Sequence, residues 1–149
     1  MMDTAIDRLI TLKVKDVMSR DVVCVSPEQV MADVAQLFVD HRISGVPVTV
    51  GDGSCVGVLS AIDYVKRERI IRSPEADQTN DTVQDHMSNS VQSVKPDQTL
   101  LTAARIMCAQ HVHRLPVLDM DGRAIGLVTS MDVVAALVNA IDEREAAAM

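Results

Sequence analysis

The chain is written twice. Residues 14–65 fall on residues 83–134 without a gap, at a constant offset of 69. Val14-Lys15-Asp16-Val17-Met18-Ser19 falls on Val83-Gln84-Asp85-His86-Met87-Ser88, Pro27 on Pro96 and Ala35 on Ala104. Pro47-Val48 falls on Pro116-Val117, Asp52-Gly53 on Asp121-Gly122, Gly57 on Gly126 and Asp63 on Asp132. Prolines and glycines restrict or release the backbone at particular places, so their coincidence implies one backbone path used twice. A repeated unit of this size leaves sheet and helix faces bare and must cover them against its copy.

Each half carries the same plan of strand, helix, strand, strand, helix, which places the fold in the mixed α/β (α+β) class. The runs Val22-Val23-Cys24-Val25 and Val91-Gln92-Ser93-Val94 read as short strands. A helix follows each. Thr99 suits an N-cap, with Leu100, Leu101, Ala103, Ala104, Ile106 and Met107 on the buried face. In the first half Ser26-Pro27-Glu28-Gln29 offers a capping box with proline in the first helical position. Hairpins are expected around Gly51-Asp52-Gly53-Ser54 and Asp121-Gly122. The boundaries predicted are an N-terminal helix over 1–13 with Ala5, Ile6, Leu9 and Ile10 in one stripe, a first repeat over 14–72, a linker over 73–82, a second repeat over 83–140 and a C-terminal tail over 141–149.

Composition narrows the function. A net charge of -7 argues against nucleic-acid binding, which needs basic surface. Phe38 and Tyr64 are the only aromatic residues, so a flat ligand would be gripped by aliphatic side chains. Cys24, Cys55 and Cys108 have no CxxC spacing and each sits in an apolar context, which predicts buried, reduced thiols and a cytoplasmic protein. No run approaches the length of a membrane span. No Ser/His/Asp or Cys/His arrangement, metal cluster or glycine-rich phosphate loop is present, so no enzymatic activity and no catalytic residue is expected. The His111-x-His113 pair lacks further ligands nearby and predicts no metal, and His41 and His86 read as structural or surface residues.

The repeated phrase Gly-h-h-Ser/Thr-x-x-Asp, at 57–63 and 126–132, has two readings. Ser60 with Asp63, and Thr129 with Asp132, fit a capping box. The same geometry could hold a ligand: free N–H groups at a helix start suit a phosphate, and a carboxylate suits a ribose diol because it only accepts hydrogen bonds.

With Val-x-Asp-x-Met-Ser opening each half, the Pro-Val hairpins and the closing Gly-h-h-Ser/Thr-x-x-Asp, the repeat resembles the CBS domain, and the pair resembles a Bateman module, over roughly residues 14–138. His41-Arg42-Ile43-Ser44-Gly45-Val46-Pro47-Val48 and His113-Arg114-Leu115-Pro116-Val117 resemble nucleotide-sensing CBS subunits. The resemblance implies tandem repeats packed as a pseudo-twofold pair, and a regulatory module standing alone. It implies an adenosine-containing ligand (AMP, ADP, ATP or S-adenosylmethionine) in clefts between the halves. Thr129 and Asp132 would face the segments around Ser19, Arg20 and Val22 and around Ser44, Gly45 and Val46. Ser60 and Asp63 would face the segment around Val91 and that of His113, Arg114 and Leu115. Arg114 would grip phosphate, and Arg42 is either a second phosphate ligand or a solvated helix-end charge. Because Ser44-Gly45 stands where the second half has His113-Arg114, the two clefts should differ in phosphate affinity. A homodimer through the terminal helices and an unidentified regulated protein are the partners expected. The competing reading is a protein-interaction scaffold with vestigial ligand sites.

Overall fold

Each half is built around a hairpin that its turn residues dictate. In a computed structural model describing residues 4–71 and 80–148, strand β1 (Gly45–Thr49) pairs antiparallel with β2 (Cys55–Ser60), Gly45 opposite Ser60 and Val48 opposite Gly57. Strands β3 (Arg114–Leu118) and β4 (Ala124–Thr129) repeat that register, Arg114 opposite Thr129 and Val117 opposite Gly126. Gly53 and Gly122 turn the hairpins at φ 90° and 81°, a region that glycine enters without steric cost. The expected linker lies outside the described residues over 73–79.

Helix α1 spans Thr4–Thr11 and α2 Val14–Val17; α3 runs Met31–His41 and α4 Ala61–Ile71. A short 3-10 turn at Val83–Asp85 answers α2, while α5 (Leu100–Gln110) answers α3 and α6 (Ser130–Ala148) answers α4. The stretch expected as a tail from residue 141 continues α6 as helix. Helices α3 and α5 both end on a left-handed residue, Arg42 at φ 52° and His111 at φ 55°, which occupy the same position of the repeat.

The chain forms two compact units that do not coincide with the two repeats. A central unit holds Val23–Val91; a terminal unit holds Met1–Val22 together with Gln92–Met149. The central core is Val25, Met31, Val34, Phe38, Val46, Val48, Leu59 and Val83. Shifted by 69, seven of these become Val94, Leu100, Ala103, Met107, Leu115, Val117 and Val128 of the terminal core, and the eighth, Val83, becomes Val14. Each repeat therefore gives its opening turn to the other unit. The backbone bonds agree: Val14 N–H donates to Gln98 O at 2.9 Å and Leu100 N–H to Leu12 O at 2.9 Å, while Val83 N–H donates to Gln29 O at 2.9 Å and Met31 N–H to Asp81 O at 2.9 Å. Each fully buried Val or Leu contributes about 1.5–3 kcal/mol, so a shared set of positions suffices to specify one backbone twice.

Three expectations need correction. The runs at 22–25 and 91–94 are not strands. Each makes a single parallel bridge, Val25 with Val48 and Val94 with Val117, because the chain passes from one unit to the other within the run and then turns at Pro27 or Pro96. Ser26–Gln29 does not start α3. Ser26 N–H donates to Gln29 Oε1 at 2.7 Å and closes a separate turn, and α3 begins at Met31 after Val30, which makes no side-chain cap. Thr99, at the position equivalent to Val30, does cap α5, accepting from Thr102 N–H at 3.2 Å. Cys24 and Cys55 are half-buried, and burial pushes both thiols above their ordinary pKa, but Cys108 lies exposed on the outer side of α5. In the N-terminal stripe, Leu9 packs on the terminal core while Ile6 and Ile10 stay exposed; Arg8 pairs with Glu143 of α6.

Candidate functional site

The repeated phrase occupies the same place in each unit: the end of a hairpin strand and the start of a helix. In the terminal unit Thr129 precedes α6. Its N–H donates to Asp132 Oδ2 at 2.8 Å, and Asp132 N–H donates back to Thr129 Oγ1 at 3.2 Å. In the central unit Ser60 precedes α4. Its N–H donates to Asp63 Oδ2 at 2.8 Å, and its hydroxyl donates to the same oxygen at 3.2 Å. Capping is thus what both phrases do. The caps use Oδ2 of each carboxylate, and Oδ1 makes none of these bonds. The hydroxyls differ: Thr129 Oγ1 accepts from Asp132 N–H, whereas the Ser60 hydroxyl donates to Asp63 Oδ2.

A second segment lies along each junction. Ser19 N–H donates to Leu127 O and Leu127 N–H to Ser19 O, both at 2.9 Å; Ser88 and Val58 exchange the same pair of bonds at 2.9 and 3.0 Å. The hairpin register adds Arg114 beside Thr129 and Gly45 beside Ser60. The first residue of each helix is held from the same direction, Ser130 N–H by His113 O at 2.8 Å and Ala61 N–H by Ser44 O at 2.9 Å. The terminal unit therefore gathers Ser19, Arg20, Val22, His113, Arg114, Leu115, Thr129 and Asp132, and the central unit gathers Arg42, Ser44, Gly45, Val46, Ser60, Asp63 and Val91. Val46 and Leu115 point into the cores, at 1% and 0% exposure, which leaves their backbone as the part able to meet a ligand. Arg42 and Arg20 are exposed. Arg114 is half-buried, and desolvation draws its guanidinium below the usual value.

Sequence reasoning missed two features. The glycines of the phrase carry close contacts with Met18 and Met87 that a repeat alone does not reveal. The other is a cluster in the central unit. Arg67 on α4 grips Asp81 with Nε at 2.5 Å and Nη2 at 2.9 Å, and His86 Nε2 meets the same carboxylate at 2.7 Å. All three side chains are 10–16% exposed. The hydrogen bond from Arg67 chiefly holds the Asp81 carboxyl below its ordinary pKa, and Asp81 raises that of Arg67. Tyr64, on the same helix, donates to Met31 O at 2.7 Å and burial pushes it up to about 12. His86 had read as structural or surface, and Asp81 as linker. The signal available was a departure from the repeat: the equivalent positions are Ala136, Leu12 and Val17.

Among the described residues no group of three or more His, Cys, Asp or Glu could hold a metal, and no helix is long and apolar enough to cross a membrane.

The chain is similar to known proteins of one family. The family model of the CBS domain matches residues 14–69 and again 83–139. An uncharacterized protein of Methanocaldococcus jannaschii, MJ1426, is 33% identical over 153 residues, spanning 84% of this chain and 90% of its own. The chain also matches an inosine-5'-monophosphate dehydrogenase of Korarchaeum cryptofilum, 35% identical over 114 residues, but spans only 22% of that enzyme's length. Among solved structures, CBSX2 of Arabidopsis thaliana in complex with AMP is 29% identical with a TM-score of 0.77, covering 85% of this chain and 96% of that one. The CBS domain of a bacterial CNNM/CorC family Mg2+ transporter in complex with ATP is 26% identical with a TM-score of 0.74, covering 91% and 95%.

Proposed function

This chain belongs to the CBS domain family, with both copies of the domain in one chain, and from that premise we propose that it is a non-catalytic regulatory module. It binds an adenosine-containing ligand of the AMP, ADP, ATP or S-adenosylmethionine class at its strand-to-helix junctions, and a partner protein reads the resulting shift in conformation. One observation carries the reading: at both junctions the acid caps its helix through Oδ2 alone, beside the Ser19 or Ser88 segment, in a chain 29% identical to a protein solved with AMP.

Asp132 and Asp63 accept from the ribose hydroxyls through Oδ1 while Oδ2 keeps the helix capped. At the terminal junction the backbone of Arg20 to Val22 reads the adenine edge, and at the central junction that of Asn89 to Val91 and of Ser44 to Val46 does so. Phosphate is drawn to the helix start and to Arg114, whose fork suits two phosphate oxygens. The terminal unit, with Arg20, His113 and Arg114 where the central unit has Asn89, Ser44 and Gly45, is the side that favours phosphate. The apolar residues that α6 leaves exposed, Met131, Val134, Val138 and Ile141, follow helical spacing and support a homodimer. The protein works in the cytoplasm.

The test is the melting temperature of the chain with AMP, ADP, ATP and S-adenosylmethionine. A true ligand at about 100 times its Kd adds about 2.7 kcal/mol of stability. Asp132→Ala is expected to remove that gain for at least one of them. The caps themselves favour a second reading, a protein-interaction module whose sites are vestigial. That reading wins if no member of the panel shifts the melt. It also gains if Asp132→Ala lowers the unliganded melt and leaves the ligand-induced gain whole.

A further inference from the structure

The glycine that opens each repeated phrase is buried, neither turns a corner nor adopts a positive φ, and yet has no room for a side chain. A Cβ on Gly126 would stand 2.5 Å from Met18 Sδ, 3.1 Å from Met18 Cγ and 3.1 Å from Ser19 O. A Cβ on Gly57 would stand 2.8 Å from Ser88 O and 2.9 Å from Met87 Sδ. These neighbours belong to the Met-Ser pair that closes the first phrase of each half. The two repeated phrases are therefore one device: methionine lies over glycine, and the serine that follows forms the reciprocal backbone bonds to Leu127 or Val58.

We propose that Gly57 and Gly126 are positioning residues for ligand, which set how closely the segments that start at Ser88 and Ser19 approach the strand-to-helix junctions. This rests on the ligand reading above. The segment after each serine supplies the backbone that reads the ligand, and the hydroxyl and acid lie three and six residues beyond the glycine on the same strand and helix. A methyl group at the glycine lifts the segment away from both. The two copies differ in what blocks that methyl. At Gly126 the one contact under 3.0 Å is with the flexible Met18 side chain, whereas at Gly57 backbone Ser88 O stands under 3.0 Å as well as Met87 Sδ, so trimming the methionine leaves a severe contact only at Gly57.

The experiment is calorimetric titration of the full chain with AMP and with ATP, well below every melting temperature, alongside hydrogen exchange at the Ser19 and Ser88 amides. Gly126→Ala and Gly57→Ala should each weaken the tighter nucleotide about tenfold at one site, the equivalent of one or two misaligned hydrogen bonds, and each should speed exchange at its own serine. Met18→Ala added to Gly126→Ala should restore affinity to within about threefold of the Met18→Ala parent, whereas Met87→Ala added to Gly57→Ala should restore nothing. Wild-type affinity in both glycine variants with lowered melts would show a packing role only and overturn the proposal. So would rescue at Gly57 by Met87→Ala, or no rescue at Gly126. A wild-type chain that binds neither nucleotide defeats the ligand reading instead; exchange alone then judges the geometry, and unchanged exchange at Ser19 and Ser88 overturns that as well.

Discussion

The central and terminal units share eight core positions at one offset, yet at three others they solve the same packing problem with opposite chemistry. The central unit joins α4 to the opening turn of the second repeat through Arg67, Asp81 and His86. The terminal unit joins α6 to the opening turn of the first repeat through Ala136, Leu12 and Val17, which pack against its core. The comparison separates what makes the fold from what selects the pairing. The shared apolar set makes the fold. Since Val14 and Val83 fill the same hole, however, that set cannot tell one opening turn from the other. The ionic cluster can. Were the turns exchanged, Arg67 would face Leu12 and Val17 with no carboxylate, and Asp81 would be buried against Ala136. Buried ion pairs rarely add net stability, but an unpaired buried charge costs much more than the pair gains.

The largest effect expected therefore comes from breaking the cluster on one side. Asp81→Ala leaves Arg67 and His86 without their acceptor and should cost about 3 kcal/mol, read as a lower urea midpoint. The triple change Arg67→Ala, Asp81→Leu and His86→Val copies the terminal unit and should bring stability back to within about 1 kcal/mol of wild type. A triple variant as unstable as Asp81→Ala would show that the cluster does more than match partners.

Acid sharpens the same contrast by a smaller amount. The folded Asp81 carboxyl titrates below its ordinary value of 3.8, principally because Arg67 donates to it. Its contribution is fully present above the unfolded value and is lost as the pH falls through the lower, folded one. Urea midpoints measured from pH 6 down to pH 2 should drop for wild type below about pH 4. The triple variant should show a shallower drop over that window, and an equal slope in both proteins would remove Asp81 as the source.

How much of this was legible in the sequence follows the same division. Repeats, hairpins and the strand-to-helix junctions were readable because glycine, proline and the hydroxyl-acid spacing act within a few residues. The exchange of opening turns was not, because Val14 and Val83 are alike in sequence and only three-dimensional packing decides which core each joins. The strands expected at 22–25 and 91–94 failed for the same reason, as the chain changes unit within them. Of the candidate site, Ser60, Asp63, Thr129 and Asp132 fell at the predicted junctions. The glycine contacts and the Arg67 cluster stayed hidden because they link residues far apart in the chain, though the mismatch of Arg67 with Ala136 was visible in the repeat alignment.

The smallest effect tests whether the repeats are interchangeable where they differ by one cap. Thr99 accepts the Thr102 N–H at the start of α5, while Val30 offers α3 nothing. Both residues otherwise sit alike, each in an antiparallel bridge, Thr99 with Lys13 and Val30 with Thr82. Thr99→Val should therefore cost about 1 kcal/mol, and Val30→Thr should gain a similar or smaller amount. Urea melts of the two single variants and of the double variant decide the matter. If the positions are equivalent, the double variant moves the cap from one unit to the other at almost no net change. A Val30→Thr that destabilises would mean that its γ-methyl packs where threonine would place a hydroxyl, and the equivalence of the two helix starts would end at the backbone.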